Sequence, residues 1–123
     1  MNLFRLMKAL FTPASSETPD ACTTRLRAGT AVLVDVREAA EWERGVAREA
    51  RLLPLSDLTG GRAHWGPFLA SAGNREILLY CASGARSGLA ARLLSQEGFK
   101  VLNTGGLAGW AAADWPVVPP AGS

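Results

Sequence analysis

The segment YCASGARSG, residues 80–88, places a cysteine directly after an apolar run and follows it with a short glycine-rich loop. A cysteine is nucleophilic as its thiolate, and no histidine stands near Cys81 in the sequence to accept its proton. The glycines permit positive φ, so that successive N–H groups can turn inward and form an anion-binding cradle. A helix beginning near Arg86 and Ser87 would add the positive end of its dipole. We therefore predict that this loop ionises Cys81 without a base and that Cys81 is the catalytic residue.

Cys81 has a second interpretation, in which it is only a small buried residue at the end of a core strand. A lone cysteine is most often of this kind, because cysteine behaves as a small hydrophobic residue. The order of strand, cysteine, glycine-rich turn, arginine and helix favours the reactive interpretation.

The composition excludes several classes of protein. The chain has 123 residues, of which 48% are hydrophobic, and this fits one domain with one core. The net charge of +2, with no basic stripe interleaved with aromatic residues, gives no indication of nucleic-acid binding. Cys22, Cys81 and His64 are too few for a disulfide scaffold or a metal site, so we expect no metal or cofactor. Such cysteine usage is typical of a reducing compartment such as the cytoplasm.

The elements that must position the loop alternate along the chain. Apolar or β-branched runs predict strands at residues 31–36, 50–55, 76–80 and 100–103. Helical patterns and glycine stops predict helices at 20–27 with Asp20 as N-cap, at 37–45, around Phe68, at 84–97 and at 105–114. The alternation predicts an α/β fold with a small central parallel sheet and helices on both faces. Ligands of such sheets bind beyond the carboxyl ends of the strands, where DVRE and CASGARSG lie.

The two ends of the chain are predicted to lie outside this domain. The spacing of the apolar residues in MNLFRLMKALF, residues 1–11, fits an amphipathic helix. A secretory signal needs a continuous apolar run of about 7–15 residues, and Arg5 and Lys8 break the run here. Docking on the domain or on a symmetry mate is the favoured interpretation of this helix, and a membrane-surface or partner-docking helix is the alternative. TPASSETPD, residues 12–20, is typical of a linker, and no stretch approaches the roughly 18 apolar residues of a membrane span. The predicted boundaries are 1–19 for the helix and polar linker, 20–118 for the domain and 119–123 for a tail, in which the prolines of WPVVPPAGS argue against regular structure.

Four segments in the same order resemble the rhodanese homology domain family: VLVDVREAAEWERG, YCASGARSGLAARLL, VLNTGGLAGW and the late WPV. The resemblance covers about residues 20 to 118 and implies a rhodanese-like fold. It departs from the family at GVAREA, residues 45–50, where many relatives carry Gly-His-Ile-Pro-Gly-Ala in a mostly structural role. The resemblance implies a sulfurtransferase, in which Cys81 takes a sulfane sulfur from a donor such as thiosulfate and becomes a persulfide. Cyanide, a thiol or a protein cysteine then accepts the outer sulfur.

The resemblance also implies roles for the neighbouring residues. The persulfide would be held by the loop residues Ala82, Ser83, Gly84, Ala85, Arg86 and Ser87. Asp35 and Arg37 are expected to pair with loop groups, and Asp35 to form an ion pair with Arg86, which could instead point outward towards anionic donors. The hydroxyls of Ser83 and Ser87 could donate towards sulfur or cap the helix, and capping is the expectation for Ser87. Packing is expected for Trp110, a surface position for His64 and a structural place for Cys22, whose alternative is a disulfide with Cys81.

Three other functions stay open. A persulfide carrier would receive sulfur from a desulfurase and pass it to a partner, with little turnover of small donors. Cysteine phosphatases and arsenate reductases of this fold have one more residue in the loop, Cys-x5-Arg, than the Cys-x4-Arg of residues 81–86, and the shorter loop favours a single sulfur atom over a phosphate. The last alternative is an inert domain that acts as a scaffold.

Overall fold

The computed structural model describes residues 2–10 and 14–121 of the chain. Its strands are β1 (Ala31–Asp35), β2 (Val46–Ala47), β3 (Arg51–Leu52), β4 (Glu76–Cys81), β5 (Val101–Gly106) and β6 (Val117–Val118). Its helices are α1 (Leu3–Leu10), α2 (Pro19–Ala28), α3 (Ala39–Trp42), α4 (Leu55–Leu58), α5 (Trp65–Ser71), α6 (Ala85–Gln96) and α7 (Leu107–Ala112). Strands and helices alternate through most of the chain, as the apolar runs and glycine stops predict.

The central sheet is parallel and has the strand order β3-β1-β4-β5. In its middle, β1 and β4 pair in register from Ala31 opposite Glu76 to Asp35 opposite Tyr80. Both strands therefore end at the same edge of the sheet, and Cys81 comes one residue after the last pair. The prediction of a small parallel sheet is confirmed, and the cysteine loop leaves it at the carboxyl ends of the strands.

Helices cover both faces of this sheet, as predicted. One apolar cluster joins strand residues to α5 and α6, and it includes Val34, Ile77, Leu79, Cys81, Trp65, Phe68, Leu93 and Leu94. The cluster on the other face joins strand residues to α2 and α7, and it includes Leu33, Leu78, Tyr80, Cys22 and Trp110. Because successive strand residues point to opposite faces, burial on both sides requires the continuous apolar runs seen in β1 and β4.

The segment after Trp115 is more regular than the sequence predicts. Strand β6 pairs antiparallel with β2, with Val46 opposite Val118 and Ala47 opposite Val117. The prolines do not prevent this pairing, because they flank the two valines and remove no N–H group that the short ladder needs. Gly45 precedes β2 with φ of +117°, and a Cβ there would lie 2.8 Å from Val117 Cγ1. The prediction that this segment lacks regular structure is therefore wrong.

Helix α1 packs against α6 and leaves part of its apolar surface uncovered. Ala9 is fully buried, and the Arg5 guanidinium forms an ion pair with Glu97 at 2.8 Å. Leu3, Phe4 and Met7 remain half or more exposed. The favoured prediction, a terminal helix docked on the domain, agrees with these contacts. Within residues 2–10 and 14–121, no helix is long and apolar enough to cross a membrane.

Part of the predicted linker pairs with the sheet. The Asn103 N–H donates to Ser15 O at 2.9 Å, and the Glu17 N–H donates to Asn103 O at 3.2 Å, so this segment covers the edge of β5. Helix α2 begins at Pro19 with Thr18 as its N-cap, so the prediction of Asp20 as N-cap is wrong by two positions. Proline suits the first helical position because its missing N–H would be unpaired there anyway. Residues 12 and 13 of the predicted linker lie outside the described residues.

Candidate active site

The cysteine loop runs from the end of β4 to the first turn of α6 and encloses the Cys81 side chain. Cys81 and Ser87 are buried, whereas Ala82, Ser83 and Ala85 are exposed along the rim. Gly84 is the N-cap of α6 and has φ of +99°, a conformation that favours glycine. The thiol therefore lies at the base of the loop, beneath a rim of small side chains.

Hydrogen-bond donors converge on the Cys81 sulfur. The Gly84 N–H donates to Cys81 Sγ at 3.0 Å, and the Ser87 hydroxyl lies 3.3 Å from the same atom. Burial raises the pKa of Cys81, but the Ser87 hydroxyl and the N–H groups of Ser87, Gly84 and Ser83 outweigh burial and lower the pKa below its ordinary value. The predicted arrangement, a cradle of loop donors around the sulfur, is thus present without a histidine.

Ser87 is turned towards the sulfur and does not cap the helix. It is the third residue of α6, so its side chain lies inside the first turn, and the helix has no side-chain cap. Its hydroxyl has one proton and lies within reach of both Cys81 Sγ and Asn103 Oδ1, the latter at 2.7 Å. The prediction that Ser87 caps the helix is therefore wrong, and the alternative, donation towards sulfur, describes the site.

Asn103 is a site residue that the sequence interpretation missed. Its Nδ2 donates to Gly84 O at 3.0 Å, and its Oδ1 accepts from the Gly105 N–H at 3.1 Å in addition to Ser87. The side chain thereby ties β5 to the cysteine loop. Its position at the end of the predicted strand KVLN, beside the cysteine strand, is the signal that could have identified it.

Gly106 gives the loop its tightest contact. A Cβ at this position would lie 2.3 Å from the Ala82 carbonyl oxygen and 3.0 Å from the Ala82 carbonyl carbon. The backbone of β5 therefore passes directly against the first loop residue after Cys81. Only glycine allows this approach without displacing the loop.

Arg86 pairs with Glu41 and not with Asp35. Its two terminal nitrogens donate to the two Glu41 carboxylate oxygens at 2.7 and 2.8 Å. Hydrogen bonding to Arg86 lowers the pKa of Glu41 to about 2. The predicted Asp35–Arg86 ion pair is wrong, because Glu41, on α3, reaches Arg86 while Asp35 already has closer partners.

Asp35 and Arg37 pair with each other. The Arg37 guanidinium donates to Asp35 Oδ2 at 2.8 Å and to Gly45 O at 2.7 Å, and the Asp35 carboxylate also accepts from the Arg37 N–H at 2.8 Å. These bonds stabilise the turn from β1 through α3 to β2. The expectation that both residues pair with groups of the cysteine loop is therefore wrong. Their carboxylate and guanidinium instead lie beside the helix that carries Glu41.

Comparison with known proteins agrees with this geometry. A family model described as the rhodanese-like domain matches residues 18–113. The chain belongs to the rhodanese-like domain family. A sulfurtransferase from Allochromatium vinosum is 38% identical to it over 95 residues, which cover 74% of this chain and 81% of the relative. The family resemblance expected from the cysteine loop is thus confirmed.

Solved structures show the same fold. A rhodanese-related protein from Thermoplasma volcanium is 26% identical and has a TM-score of 0.71, with coverage of 86% of this chain and 99% of its own. A rhodanese from E. coli, solved with anions, is 28% identical and has a TM-score of 0.59, with coverage of 72% of this chain and 98% of its own. These similarities agree with the α/β fold of this rhodanese-like domain.

The remaining residues singled out in the sequence lie away from the sulfur. Cys22 is fully buried in the cluster on the opposite face of the sheet from Cys81, and burial raises its pKa to about 11. The sheet between the two thiols argues against the alternative of a direct disulfide. Trp110 is buried and donates from Nε1 to Thr104 Oγ1 at 3.0 Å, and His64 is exposed, as expected for both.

The Ser87 hydroxyl offers a direct test of how this rhodanese-like domain ionises its thiol. Ser87→Ala removes a donor that favours the thiolate, so the proton binds more tightly and the midpoint of Cys81 ionisation moves to higher pH. At pH 7 we expect iodoacetamide to alkylate Cys81 about tenfold more slowly, as for loss of one hydrogen bond to a charged group. The measurement is the alkylation rate from pH 5 to 10, followed by intact mass.

Ser83→Ala is the matched control for this experiment. Ser83 is exposed on the rim, and the alanine variant keeps the N–H group that acts on the sulfur. We expect its alkylation profile to follow that of the wild type. Equal profiles for Ser87→Ala and the wild type would show that the hydroxyl does not stabilise the thiolate.

Proposed function

We propose that the chain is a sulfurtransferase, which moves a sulfane sulfur from a donor such as thiosulfate to a thiophilic acceptor through a persulfide on Cys81. The observation that carries this proposal is the Cys81 sulfur at the base of the loop, within 3.0 Å of the Gly84 nitrogen and 3.3 Å of the Ser87 hydroxyl. Such surroundings favour the thiolate over the thiol without a general base. The similarity to a sulfurtransferase supports the same assignment.

The first half of the proposed cycle forms the persulfide. The Cys81 thiolate attacks the outer sulfur of thiosulfate, the S–S bond of the donor breaks, and sulfite leaves with the bonding electron pair. The product is a Cys81 persulfide anion, so the total charge of the reactants is kept. The N–H groups of Ser83, Gly84 and Ser87 that act on the thiolate would also stabilise this anion.

The second half returns the thiolate. A thiophile such as cyanide, a small thiol or a protein cysteine attacks the outer sulfur, the S–S bond to Cys81 breaks, and Cys81 leaves as thiolate. Because the Cys81 side chain is fully buried, the outer sulfur, about 2 Å further along the S–S bond, is the atom that can meet an acceptor at the rim. We assign the binding of the persulfide to the loop residues, which are Ala82, Ser83, Gly84, Ala85, Arg86 and Ser87.

Arg86 and its partners complete the proposed site. The Glu41 carboxylate holds the Arg86 guanidinium at the start of α6, and the Asp35–Arg37 pair stabilises the turn that leads into α3. In this proposal Glu41 positions the Arg86 guanidinium, and the Asp35–Arg37 ion pair holds the segment that carries Glu41. The short Cys-x4-Arg loop, with the Gly106 backbone against Ala82, favours one sulfur atom over a tetrahedral phosphate.

Both thiols are free, and we infer from this cysteine usage a reducing compartment such as the cytoplasm. The proposed cycle needs two partners, a sulfane sulfur donor and a thiol or protein cysteine acceptor, and it has no role for nucleic acid.

Steady-state formation of thiocyanate from thiosulfate and cyanide tests whether small donors are turned over. We expect the wild-type chain to form thiocyanate catalytically, because the donors of the loop keep Cys81 as a thiolate after each cycle. Release of one equivalent of thiocyanate without turnover, with a persulfide loaded only by a partner desulfurase, would instead identify a persulfide carrier. Hydrolysis of an aryl phosphate that depends on Cys81 would contradict the interpretation of the loop length.

A further inference from the structure

A cleft of about 480 Å³ lies directly beside the cysteine loop. One wall is formed by residues 16–19, the other by Ser83 and Gly84, and Asn103, Thr104 and Gly105 complete the lining. We call this cleft the acceptor groove. It adjoins the two loop residues that precede α6, and Gly84 is the residue whose N–H donates to the Cys81 sulfur.

The outer wall of the acceptor groove is fixed to the sheet. Backbone hydrogen bonds from Asn103 to Ser15 and from Glu17 to Asn103 hold this segment along β5. Helix α2 begins directly after it, at Pro19, and packs on the sheet with Cys22 buried. A ligand that enters the groove therefore meets a preformed wall.

The groove carries one charged side chain among its lining residues, Glu17. The Arg25 guanidinium forms ion pairs with both Glu17 and Glu76, so one positive charge serves two carboxylates and the cluster stays net negative. Arg86, whose guanidinium is held by Glu41, does not line the groove. The groove therefore attracts cations and disfavours anions such as thiosulfate.

The groove also connects to the sulfur through one side chain. Asn103 lines the groove and also contacts Gly84 O and the Ser87 hydroxyl. Gly84 and Ser87 are the two residues whose N–H and hydroxyl groups, respectively, contact Cys81 Sγ. A molecule bound in the groove thus contacts the part of the cysteine loop that surrounds Cys81 Sγ.

We propose that the acceptor groove binds the residues that flank an acceptor cysteine in a peptide or protein, and that Glu17 selects acceptors with lysine or arginine beside this cysteine. This inference rests on the proposed function. In the step it concerns, the acceptor thiolate attacks the outer sulfur of the Cys81 persulfide, Cys81 leaves as thiolate, and the acceptor becomes a persulfide. The donor half of the cycle does not use the groove.

The test measures sulfur transfer from the loaded protein to two acetylated pentapeptides. Each peptide has one central cysteine, flanked by lysines in one peptide and by glutamates in the other. The variant is Glu17→Gln, and its matched control is Glu49→Gln, which removes an exposed carboxylate that neither lines the groove nor pairs with Arg25. The readout is the rate at which the protein loses about 32 Da, the mass of one sulfur atom, in single turnover at low salt.

We expect Glu17→Gln to slow transfer to the lysine peptide about two- to fivefold, the size of one partly exposed charge interaction. Transfer to the glutamate peptide should stay equal or become faster. Glu49→Gln should leave both rates unchanged, and sulfite release from thiosulfate should be the same in all three proteins. Comparing each variant with the wild type on one peptide cancels the intrinsic reactivity of that peptide's thiol.

Equal effects of Glu17→Gln on both peptides, or none on either, would overturn the groove as a selector of acceptors while leaving the persulfide cycle intact. A slower sulfite release in Glu17→Gln would also contradict it, because the groove would then serve the donor. Failure of the wild-type protein to load any sulfur would overturn the proposed function, and the role of the groove with it.

Discussion

Replacement of Cys81 by serine is expected to abolish sulfur transfer, with a loss of about 10⁴-fold or more in the rate of thiocyanate formation. A serine hydroxyl is not ionised at neutral pH, and the N–H groups of the loop are too weak to change that. The loop itself should stay folded, because Cys81 is a small side chain at the end of β4 and serine occupies less space. Circular dichroism and the Tm of the variant check this point.

Cys22→Ala is the matched control for Cys81→Ser. Cys22 is the other free thiol, equally buried but on the opposite face of the sheet, where burial raises its pKa. We expect this variant to keep turnover within about twofold, with a modest loss of stability of about 1 kcal/mol from the cavity. Retained activity in Cys81→Ser, or loss of activity in Cys22→Ala at unchanged fold, would contradict the assignment of the nucleophile.

Gly106→Ala should have the second largest effect. The added Cβ would lie 2.3 Å from the Ala82 carbonyl oxygen, a backbone atom that can move only if the loop moves. Overpacking of this kind costs about 1–3 kcal/mol, and each kcal/mol lowers the Tm by about 4 °C or more. Displacement of Ala82 also shifts the donors that follow it, and an error of about 1 Å in such a site can reduce the rate about 100-fold.

Gly109→Ala separates this steric effect from the general effect of replacing glycine. Gly109 lies in α7, three residues further along, and a Cβ there would meet Pro19 Cγ at 3.5 Å, an ordinary contact. Because alanine is the better helix former, we expect the Tm to stay equal or rise, with unchanged turnover. Wild-type turnover and Tm in Gly106→Ala would show that the loop does not depend on this close approach.

The fold and the cysteine loop could be predicted from the sequence because their signals are local. The apolar runs of β1 and β4 are continuous, since both faces of the sheet are covered, and such runs stand out in any chain. The order of strand, Cys81, glycine and helix is contained in a few residues and indicates a cradle directly.

The partners of the loop could not be predicted, because they depend on where distant elements come to lie. Glu41 is 45 residues from Arg86, and nothing in either segment distinguishes Glu41 from Asp35 as the partner. Asp35 belongs to the DVRE motif and is the obvious candidate, but its carboxylate already forms an ion pair with the Arg37 side chain two residues away.

Two-residue strands escape sequence prediction for a different reason. β2 and β6 have two residues each, too few for either to show an alternation that could be recognised. Their pairing depends on Gly45, whose lack of a side chain lets Val117 approach. Asn103 was missed because a polar residue at the end of a strand is common, and its role depends on the neighbouring cysteine strand.

The proposed mechanism accounts for a site without a general base. A histidine would act by accepting the thiol proton, whereas the fixed donors at the sulfur lower the pKa of Cys81 and, in the proposed cycle, stabilise thiolate and persulfide alike. The Ser87 hydroxyl can turn between Cys81 and Asn103, so it can adapt to either state of the sulfur.

Intact mass after incubation with thiosulfate tests the persulfide most directly. The account predicts that the wild-type protein gains about 32 Da, the mass of one sulfur atom, and loses it on addition of cyanide with one equivalent of thiocyanate released. Cys81→Ser should show no gain, and Cys22→Ala should gain the same mass as the wild type. No added mass on the wild-type protein with any sulfane sulfur donor, or the same gain in Cys81→Ser, would contradict a persulfide on Cys81.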